Sequence, residues 1–283
     1  GTIAGQDNIF MGANAGGGTW TTAASNYNIG IGTGAMDAAM NGALNNVALG
    51  HLALSAVTTA DSNTAIGYVA LEDATTGGYN VAVGSEAGRN LTTGAENVLL
   101  GQSAGAQHTV TSYIIAIGGG AGNTTMATGA NGTIAIGQTA LMRGVLGAGP
   151  STAVGYLAGQ YATGSYNTFV GSEAGKGGTT SAPFSSGQYN TALGYQALTA
   201  FTTGNYNVAV GYQAGDALTT GIQNVAIGTN ALSAADNDES YNVAIGSYAM
   251  ATVDDDAADH NIAIGYYALN ATTVASSVAI GRE

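Results

Sequence analysis

The sequence predicts an all-β fold, a parallel β-solenoid of about 16 coils with about 17 residues in each coil. Three observations support this prediction. A short motif centred on glycine recurs along the whole chain of 283 residues. Apolar β-branched residues alternate with small ones before many of these glycines. Leu, Ile, Val and Phe together supply only 53 residues, which is too few for a thick globular core.

A glycine recurs through the chain at a nearly fixed spacing. It occupies sixteen positions, and the intervals between them run from 16 to 23 residues, with 17 the commonest. Alanine stands three residues after it in all fifteen complete copies, and asparagine stands four residues before it in twelve of the sixteen. This period is too short for helical repeats or propeller blades, whereas one coil of a β-solenoid fits it. The glycines are Gly12, Gly32, Gly50, Gly67, Gly84, Gly101, Gly118, Gly137, Gly155, Gly171, Gly194, Gly211, Gly228, Gly246, Gly265 and Gly281.

Each copy of the repeat predicts a short strand followed by a bend. In the clearest copy, Val208 and Val210 alternate with a small residue, and this period of two with β-branched residues favours a strand. Gly211 ends the strand at a bend that needs a positive φ or a close backbone approach. We expect Ala214 in a second short extended segment, at a place too crowded for a larger side chain. A connector rich in Thr and Gly, such as 202–204, then leads to the next coil.

The asparagine before each strand has two interpretations. Asn207 and Asn224 hold this position in adjacent copies. Stacked asparagines can form an amide ladder, in which each side chain bonds the next. Asparagine is also a common turn residue, which alone would account for its place at the strand entry. The sequence does not decide between these interpretations, and neither makes the residue catalytic.

The position after the repeat alanine is divided between two residue types. It is glycine in seven copies, as after Ala214, and Leu or Met in eight, as after Ala231. We expect it to face the core in some coils and a neighbouring chain in others. A coil with only two or three large apolar residues buries little surface by itself. We therefore expect the chains to bundle as a homotrimer that buries the second face of the strand between protomers.

The charge balance excludes several classes of partner. Four basic residues stand against 17 acidic ones, for a net charge of −13. Binding of nucleic acid or anionic lipid requires clusters of Lys and Arg, so neither is expected. No run of 18 apolar residues predicts a transmembrane helix, so we expect no membrane insertion by this segment. The absence of cysteine excludes disulfides and thiolate metal sites.

The pattern Asn-Val-Ala-Ile-Gly-x-x-Ala, at residues 224–231 and 242–249, resembles the head repeats of trimeric autotransporter adhesins, the YadA-like heads. It is also similar to the Gly-rich shaft repeats of phage tail-fibre proteins. The resemblance extends over essentially the whole chain. It implies a left-handed parallel β-roll with three chains side by side, exposed on a cell surface or a virion and therefore extracellular.

The chain departs from the adhesin-head pattern in two respects. Its repeat is longer, with the extra residues in the Thr/Gly connector, and it shows no anchor, coiled-coil stalk or chaperone domain. The last copy, at residues 277–281, lacks its second half, and the first copy begins without a cap. Solenoids need polar caps to prevent end-to-end association. We therefore expect residues 1–283 to form a single repetitive domain that is a segment of a longer fibre or a subunit that stacks end to end.

The sequence predicts no enzyme activity. Residues 227–231 match one turn of the hexapeptide acyltransferase signature, but Ser233 breaks the aliphatic register that the signature requires. That family also needs a catalytic base, normally histidine. His51, His108 and His260 hold three different positions in the repeat, so none of them belongs to a recurring site.

The acidic connectors contain one candidate metal site. Asp236 and Asp254 stand at the same offset from their glycines, and so do Asp238 and Asp256. Adjacent coils of a solenoid lie about 5 Å apart, so a Ca²⁺ ion could bridge these carboxylates. Loops of different length would instead hold the carboxylates apart in solvent, and the sequence favours that alternative. No other cofactor is expected.

Tyrosine recurs at two fixed positions in the repeat. Six tyrosines directly precede the asparagine, and five directly follow the glycine. Such columns could bind sugar rings by stacking, which would suit contact with a surface glycan. The sequence favours the alternative that the tyrosines cover the coil corners and clamp neighbouring chains. The candidate glycan contacts are Tyr79, Tyr166, Tyr189, Tyr206 and Tyr241.

Four Asn-x-Ser/Thr sequons lie in or near the connectors, at Asn90, Asn123, Asn131 and Asn270. They are candidate glycosylation sites, although so short a motif often occurs by chance.

These observations favour a non-enzymatic structural and adhesive fibre segment, from a phage tail fibre or a bacterial surface adhesin. Its function would be to form a rigid rod for attachment to a receptor or surface glycan. The alternative is an extracellular filament whose subunits polymerise end to end. An ice-binding solenoid fits less well, because flat Thr-x-Thr ranks are missing and threonine stands in irregular connectors.

Overall fold

Eighteen short strands make up the regular β structure of the described part of the chain. The computed structural model describes residues 5–18, 23–126, 130–143, 145–146, 149–180, 184–234, 239–252, 259–270 and 276–282. Sixteen of the strands have three residues, and each of these ends one residue before a repeat glycine. The strands are β1 (Ile9–Met11), β2 (Ile29–Ile31), β3 (Val47–Leu49), β4 (Thr64–Ile66), β5 (Val81–Val83), β6 (Val98–Leu100), β7 (Ile115–Ile117), β8 (Thr125–Met126), β9 (Ile134–Ile136), β10 (Val145–Leu146), β11 (Thr152–Val154), β12 (Thr168–Val170), β13 (Thr191–Leu193), β14 (Val208–Val210), β15 (Val225–Ile227), β16 (Val243–Ile245), β17 (Ile262–Ile264) and β18 (Val278–Ile280).

The chain divides into two compact units, Gly1–Gln138 and Thr139–Glu283. In the first unit β1 to β7 and β9 form a parallel sheet in chain order, and in the second unit β11 to β18 do the same. Equivalent residues pair across adjacent strands, so Ala65 lies between Ala48 and Ala82. The predicted parallel β-solenoid, with one strand in each copy of the repeat, is therefore confirmed within each unit.

The repeat glycines bring adjacent coils into close contact at the bend after each strand. Their φ angles lie between 126° and 145°, a range that side chains rarely allow. A Cβ atom on Gly12 would lie 2.6 Å from the carbonyl oxygen of Gly32, and one on Gly84 would lie 2.5 Å from that of Gly101. Both predicted reasons for the glycine, a positive φ and a close approach, therefore apply.

A tight turn follows each glycine, and the expectation of a second extended segment there is wrong. The second and fourth residues of this turn are left-handed even where they carry side chains, with φ values of 53° at Leu52 and 51° at Leu54. The amide of Leu52 donates to Thr33 in the preceding coil, at 2.9 Å, and that of Leu54 donates to Ala70 in the following coil, at 3.0 Å. The turn thus pairs with both neighbouring coils without a regular strand.

The interior of each unit is narrow because small residues line it. The central residue of most strands is a buried alanine, and the repeat alanines Ala214 and Ala231 are fully buried. The larger residue after the repeat alanine also points into the chain's own core, which contradicts the expectation that it faces a neighbouring chain in some coils. Leu269 is half-buried. The seven fully buried residues at this position are Met36, Leu54, Leu71, Leu141, Leu198, Leu232 and Met250.

Glycine at this same position makes room for a large residue at a strand centre. Phe169 replaces alanine in β12, and a Cβ atom on Gly175, six residues later, would collide with its ring. Leu99 in β6 behaves in the same way, since a Cβ atom on Gly105 would lie 2.7 Å from its Cδ2 atom. The two residue types at this position therefore compensate for side-chain volume within the core, as close packing requires.

The asparagine column forms a buried amide ladder. The Oδ1 atom of Asn63 accepts hydrogen bonds from the backbone amide of Asn80, at 2.9 Å, and from its Nδ2 atom, at 3.0 Å. The Nδ2 atom of Asn63 donates to Asn46 Oδ1, at 3.2 Å, and to the carbonyl oxygen of Gly77, at 3.0 Å. The ladder interpretation is therefore confirmed, and the same bonds recur between Asn190, Asn207 and Asn224.

The connector threonines stand in register, contrary to the expectation that they are irregular. The hydroxyl of Thr58 donates to the carbonyl oxygen of Thr75, at 3.0 Å, and that of Thr75 donates to Thr92, at 3.1 Å. Thr202 makes the same bond to Thr219 in the second unit, at 3.1 Å. These hydroxyls are therefore satisfied by the next coil.

Candidate functional site

The outward face of the strands carries exposed columns of aliphatic side chains. Alternation along a three-residue strand turns its first and third residues away from the core. In β5, Val81 and Val83 are 38% and 37% exposed, and in β17, Ile262 and Ile264 are 37% and 36% exposed. The sequence correctly predicted the alternation, but it did not indicate that the larger residues would face outward. This apolar face, the outward aliphatic face, is a candidate interaction surface of each unit.

Tyrosines in the second unit form a stack along the position before the asparagine. Tyr166 and Tyr189 stack with ring centroids 5.1 Å apart, and Tyr189 and Tyr206 do so at 5.0 Å, with planes only 8° and 2° from parallel. The two neighbours cover both faces of Tyr189. A sugar ring therefore cannot stack on Tyr189, which leaves the edges and hydroxyls of this column for contacts with a ligand.

The other two predicted glycan contacts have different surroundings. Tyr79 is 65% exposed, and the column places Ser62 and Glu96 on either side of it, so both of its ring faces lack an aromatic neighbour. Tyr241 stacks on His260 at 4.7 Å. The structure thus does not bring the five tyrosines together into one site.

A second aromatic column follows the repeat glycines and ends in a cluster. Tyr195 and Tyr212 stack at 5.5 Å. Near the last strand, Tyr248 stacks on Tyr267 at 4.9 Å, and Tyr266 meets Tyr267 edge to face at 4.5 Å. The guanidinium carbon of Arg282 lies 5.4 Å from the ring centroid of Tyr266, which is a cation–π contact. This cluster places one positive charge beside exposed aromatic surface.

A smaller polar ladder, which was not predicted from the sequence, lies two residues before the asparagine column. Here the oxygen of a short polar side chain accepts a hydrogen bond from a backbone amide of the preceding coil. Asp61 Oδ1 accepts from Leu44 at 2.7 Å, and Asn205 Oδ1 accepts from Gln188 at 2.7 Å. Recurrence of Asn, Asp or Ser at this offset is the sequence signal that could have revealed it.

Charged side chains pair at one repeat position in both units. Glu86 and Arg89 form an ion pair at 3.3 Å, and Glu173 and Lys176 form one at 3.2 Å. All four residues are partly exposed, so each pair contributes at most about 1 kcal/mol to stability. These contacts use two of the chain's four basic residues and leave no cluster of positive charge at either place.

The three histidines lie in unrelated surroundings. His51 is exposed and stacks on Tyr68 at 5.5 Å, and His260 stacks on Tyr241. His108 is fully buried in the core, and burial lowers its pKa to about 4, against a weaker opposing effect of the Gly122 backbone. Within the described residues, neither ring nitrogen of His108 makes a hydrogen bond of normal length.

The four aspartates of the predicted calcium site, Asp236, Asp238, Asp254 and Asp256, lie outside the described residues. Nearby, Asp259 Oδ1 accepts the amide of Ser240 at 2.6 Å as a member of the smaller polar ladder. Across the ranges that the structure describes, no three His, Asp or Glu side chains come together as metal ligands.

The predicted sequons differ in how far the asparagine is available. Asn131 is exposed, but its Oδ1 atom accepts the amide of Ser112 at 2.9 Å. Asn90 is half-buried and accepts Arg89 Nε at 3.2 Å. The Oδ1 atoms of Asn123 and Asn270 are buried and make no hydrogen bond within the described residues. Asn131 is therefore the most accessible of the four side chains.

In comparisons with protein-family models, curated proteins and solved structures, nothing matches the chain. In the part of the chain that the structure describes, no helix is long and apolar enough to cross a membrane.

Proposed function

We propose that the chain is a non-enzymatic structural and adhesive fibre segment, of the kind found in phage tail fibres and bacterial surface adhesins. It would act outside the cell, on a cell surface or a virion, as a stiff support for attachment to a receptor or surface glycan. The observation that carries the proposal is the outward aliphatic face on a fold whose backbone is paired coil by coil.

The outward aliphatic face supports a homotrimer. Extended apolar surfaces of this kind on soluble proteins usually mark a contact with another protein or with a membrane. A second and third copy of the chain would bury these columns, and they would compensate for the narrow core that small residues leave in each unit. The low content of charged residues, 7% of the chain, is consistent with faces buried against other chains.

The proposed mechanism is mechanical and multivalent. Parallel pairing connects each coil to both neighbours through backbone hydrogen bonds, so a load on one coil is shared by the next. Recurring side chains on the outside, such as Tyr79 and Thr76, would offer weak contacts at regular intervals. Many weak contacts made together raise the overall affinity without any single strong site.

The oligomeric state tests the trimer. Ile227 lies on the outward aliphatic face and is 36% exposed. Ile227→Lys would place a charge in the proposed interface, so we expect a trimer mass for the unaltered chain in analytical ultracentrifugation and a monomer mass for this variant. Thr203→Lys, on an exposed connector residue of a nearby coil, is the matched control and should remain trimeric. A folded, monomeric unaltered chain would contradict the trimer.

Attachment has its own test. Beads coated with the unaltered chain are passed over surfaces bearing bacterial or animal-cell polysaccharides, and retention is measured against coating density. Multivalent adhesion predicts retention that rises more steeply than the density. Beads that are never retained on any of these surfaces would leave only the structural part of the proposal.

End-to-end polymerisation is a second candidate. Successive coils pair through parallel strands, as β14 pairs with β15. A coil of another copy could pair with a coil of this chain in the same way. Electron microscopy separates the candidates, because particles of one length support the fibre segment and open-ended filaments support polymerisation.

A further inference from the structure

The tyrosine stack of the second unit has a geometry that is not found among the described residues of the first unit. Tyr166, Tyr189 and Tyr206 are 49%, 45% and 56% exposed, so solvent reaches all three. Their rings stand almost parallel on consecutive coils at centroid distances of 5.1 Å and 5.0 Å. The backbone holds this spacing, since the amide of Tyr189 donates to Ser165 at 3.2 Å and that of Tyr206 donates to Gln188 at 3.1 Å.

The first unit provides isolated tyrosines at the same repeat position. Tyr27, Tyr79 and Tyr113 are 58%, 65% and 56% exposed, as accessible as the stacked residues or more so. None of their neighbours in the column has an aromatic ring; these are Asp7, Asn45, Ser62, Glu96 and Gly132. One chain therefore contains stacked and unstacked tyrosines with the same backbone geometry, since the φ values of Tyr79 and Tyr206 are both 60°.

We propose that the column Tyr166–Tyr189–Tyr206 is an oxidative modification site, at which a one-electron oxidant joins tyrosines of adjacent coils as dityrosine. The oxidant class is a peroxidase supplied with hydrogen peroxide. Each link would connect residues 23 or 17 positions apart in the sequence. The proposal concerns a single chain and does not depend on the trimer.

The reaction balances with one molecule of hydrogen peroxide for each link. Each of two phenols gives one electron and one proton to the oxidant and becomes a phenoxyl radical. The unpaired electrons pair in a new bond between the Cε carbons, which are ortho to the hydroxyls. The hydrogen on each of these carbons moves to its ring oxygen and restores aromaticity. The protein loses two hydrogen atoms, and hydrogen peroxide is reduced to two water molecules.

The stack favours this coupling because it brings equivalent ring atoms together. The nearly parallel rings on adjacent coils have centroids only 5.0–5.1 Å apart, so rotation of the side chains can bring a Cε carbon of one ring to a Cε carbon of the next. A radical on Tyr189 therefore has a tyrosine partner on either side, within the same chain, before the chain meets another molecule. Tyr166 and Tyr206 are two coils apart, about 10 Å, so they can each couple with Tyr189 but not with one another.

A link between coils would stabilise the second unit. It closes a loop of about 20 residues in the unfolded chain, which lowers the conformational entropy of that state as a disulfide does. Separation of the joined coils would require breaking a covalent bond in addition to the backbone hydrogen bonds. The modification would thus strengthen the fold through a covalent bond between side chains of adjacent coils.

The test treats the dilute full-length chain with peroxidase and hydrogen peroxide. Dityrosine is measured by its fluorescence, monomeric and cross-linked chains are separated by denaturing electrophoresis, and linked peptides are identified by mass spectrometry after digestion. We expect links within one chain that join Tyr189 to Tyr166 or to Tyr206, each with a loss of two hydrogen atoms. We also expect the oxidised chain to melt at a higher temperature than the untreated one.

Two variants control the experiment. Tyr189→Phe keeps an aromatic ring in the stack but removes the phenol that both links require, so links that join Tyr166 or Tyr206 to residue 189 should disappear and the rise in melting temperature should become smaller. Tyr79→Phe, at the same repeat position in the first unit, should leave both unchanged. Links that fall equally on Tyr27, Tyr79 or Tyr113, or that join only separate chains, would overturn the proposal. So would a chain that forms no dityrosine at all.

Discussion

Two regions of the first unit satisfy their buried polar groups to very different degrees. From Asn46 to Asn97, every asparagine of the ladder donates and accepts hydrogen bonds with both neighbouring coils. From His108 to Thr124, the ladder residue is Ile114, and several buried side-chain atoms have no hydrogen-bond partner among the described residues. These atoms are Nδ1 and Nε2 of His108, Oγ1 of Thr111, Oδ1 of Asn123 and Oγ1 of Thr124.

The two regions show that strand register and the pairing of buried polar groups have separate causes in the repeat. Strands β6, β7 and β9 pair in the same register as the others, with Leu99, Ala116 and Ala135 aligned, although the asparagine is missing from two of these coils. Backbone pairing therefore sets the register without the ladder. The asparagines instead satisfy buried amides and carbonyls, and unpartnered groups of that kind cost about 1–3 kcal/mol each. We expect the region around His108 to be the less stable of the two.

The largest expected effect comes from breaking the ladder in its middle. Asn63→Ile copies the residue at position 114, but it leaves the buried amide of Asn80 and the carbonyl oxygen of Gly77 without their present partners. Two such groups should lower the free energy of unfolding by about 4 kcal/mol. Denaturant unfolding followed by circular dichroism measures the loss.

Ile114→Val is the control for that substitution, because it changes the same repeat position without touching a polar partner. It should cost only about 1 kcal/mol. If the two substitutions lower the free energy of unfolding by the same amount, the asparagines stabilise the core by packing and not by hydrogen bonding.

The next effect depends on pH and concerns His108. Its pKa is about 4 in the folded chain against 6.5 ordinarily, so between these values the unfolded chain binds more protons than the folded one. The contribution of neutral, buried His108 to the free energy of unfolding is therefore fully present above about pH 6.5 and is lost as the pH falls towards 4. Its full size is about 3 kcal/mol.

His108→Leu should remove this component, which is measured as the difference between the unfolding free energies of the two proteins at pH 7 and pH 4. Because other groups titrate in both proteins, only that difference reports on His108. The control is His260→Gln, at an exposed histidine whose repeat position is occupied by glutamine in another coil, at Gln223. Between pH 7 and pH 4 this variant should lose as much stability as the unaltered chain does. A pH dependence that is identical with and without His108 would contradict the assignment.

The smallest expected effect comes from extending the ladder into the less satisfied region. In Ile114→Asn, the new Nδ2 atom could donate a hydrogen bond to Asn97 Oδ1. It could also donate to the carbonyl oxygen of Ala130, which holds the repeat position of the Gly77 oxygen that accepts from Asn63. The new hydrogen bonds and the lost apolar burial should nearly cancel, leaving a change within about 1 kcal/mol. A loss as large as that of Asn63→Ile would show that this region cannot accept a ladder residue.

The sequence alone was sufficient to predict the strands, the coil length and the bend. These features depend on short-range signals, such as the alternation around Val208 and the glycine after each strand. The ladder was one of two open alternatives, and the hydrogen bonds of Asn63 decide between them. The volume compensation was also visible in principle, because the large strand centres Phe10, Leu99 and Phe169 are each followed by glycine six residues later.

The turn after each glycine could not be predicted from local preferences. Leucine and tyrosine disfavour the left-handed region, yet Leu54 and Tyr248 adopt it in this turn with φ values of 51° and 58°. Hydrogen bonds to adjacent coils fix these backbones, and Leu54 gains full burial in return. The outward direction of the larger strand residues was missed for a related reason, since it is set by the narrow interior and not by the strand itself.

The ladder also determines how such a chain can change its length over evolutionary time. Asn46, Asn63, Asn80 and Asn97 are separated by 17 residues each and present the same donors and acceptors to the coil before and the coil after. A duplication or deletion of 17 residues within this stretch would restore every bond at the junction, because one ladder asparagine would replace another at the same spacing. Recombination between repeats of the gene can therefore lengthen or shorten the protein in whole coils, so that its reach varies between lineages while its cross-section stays the same.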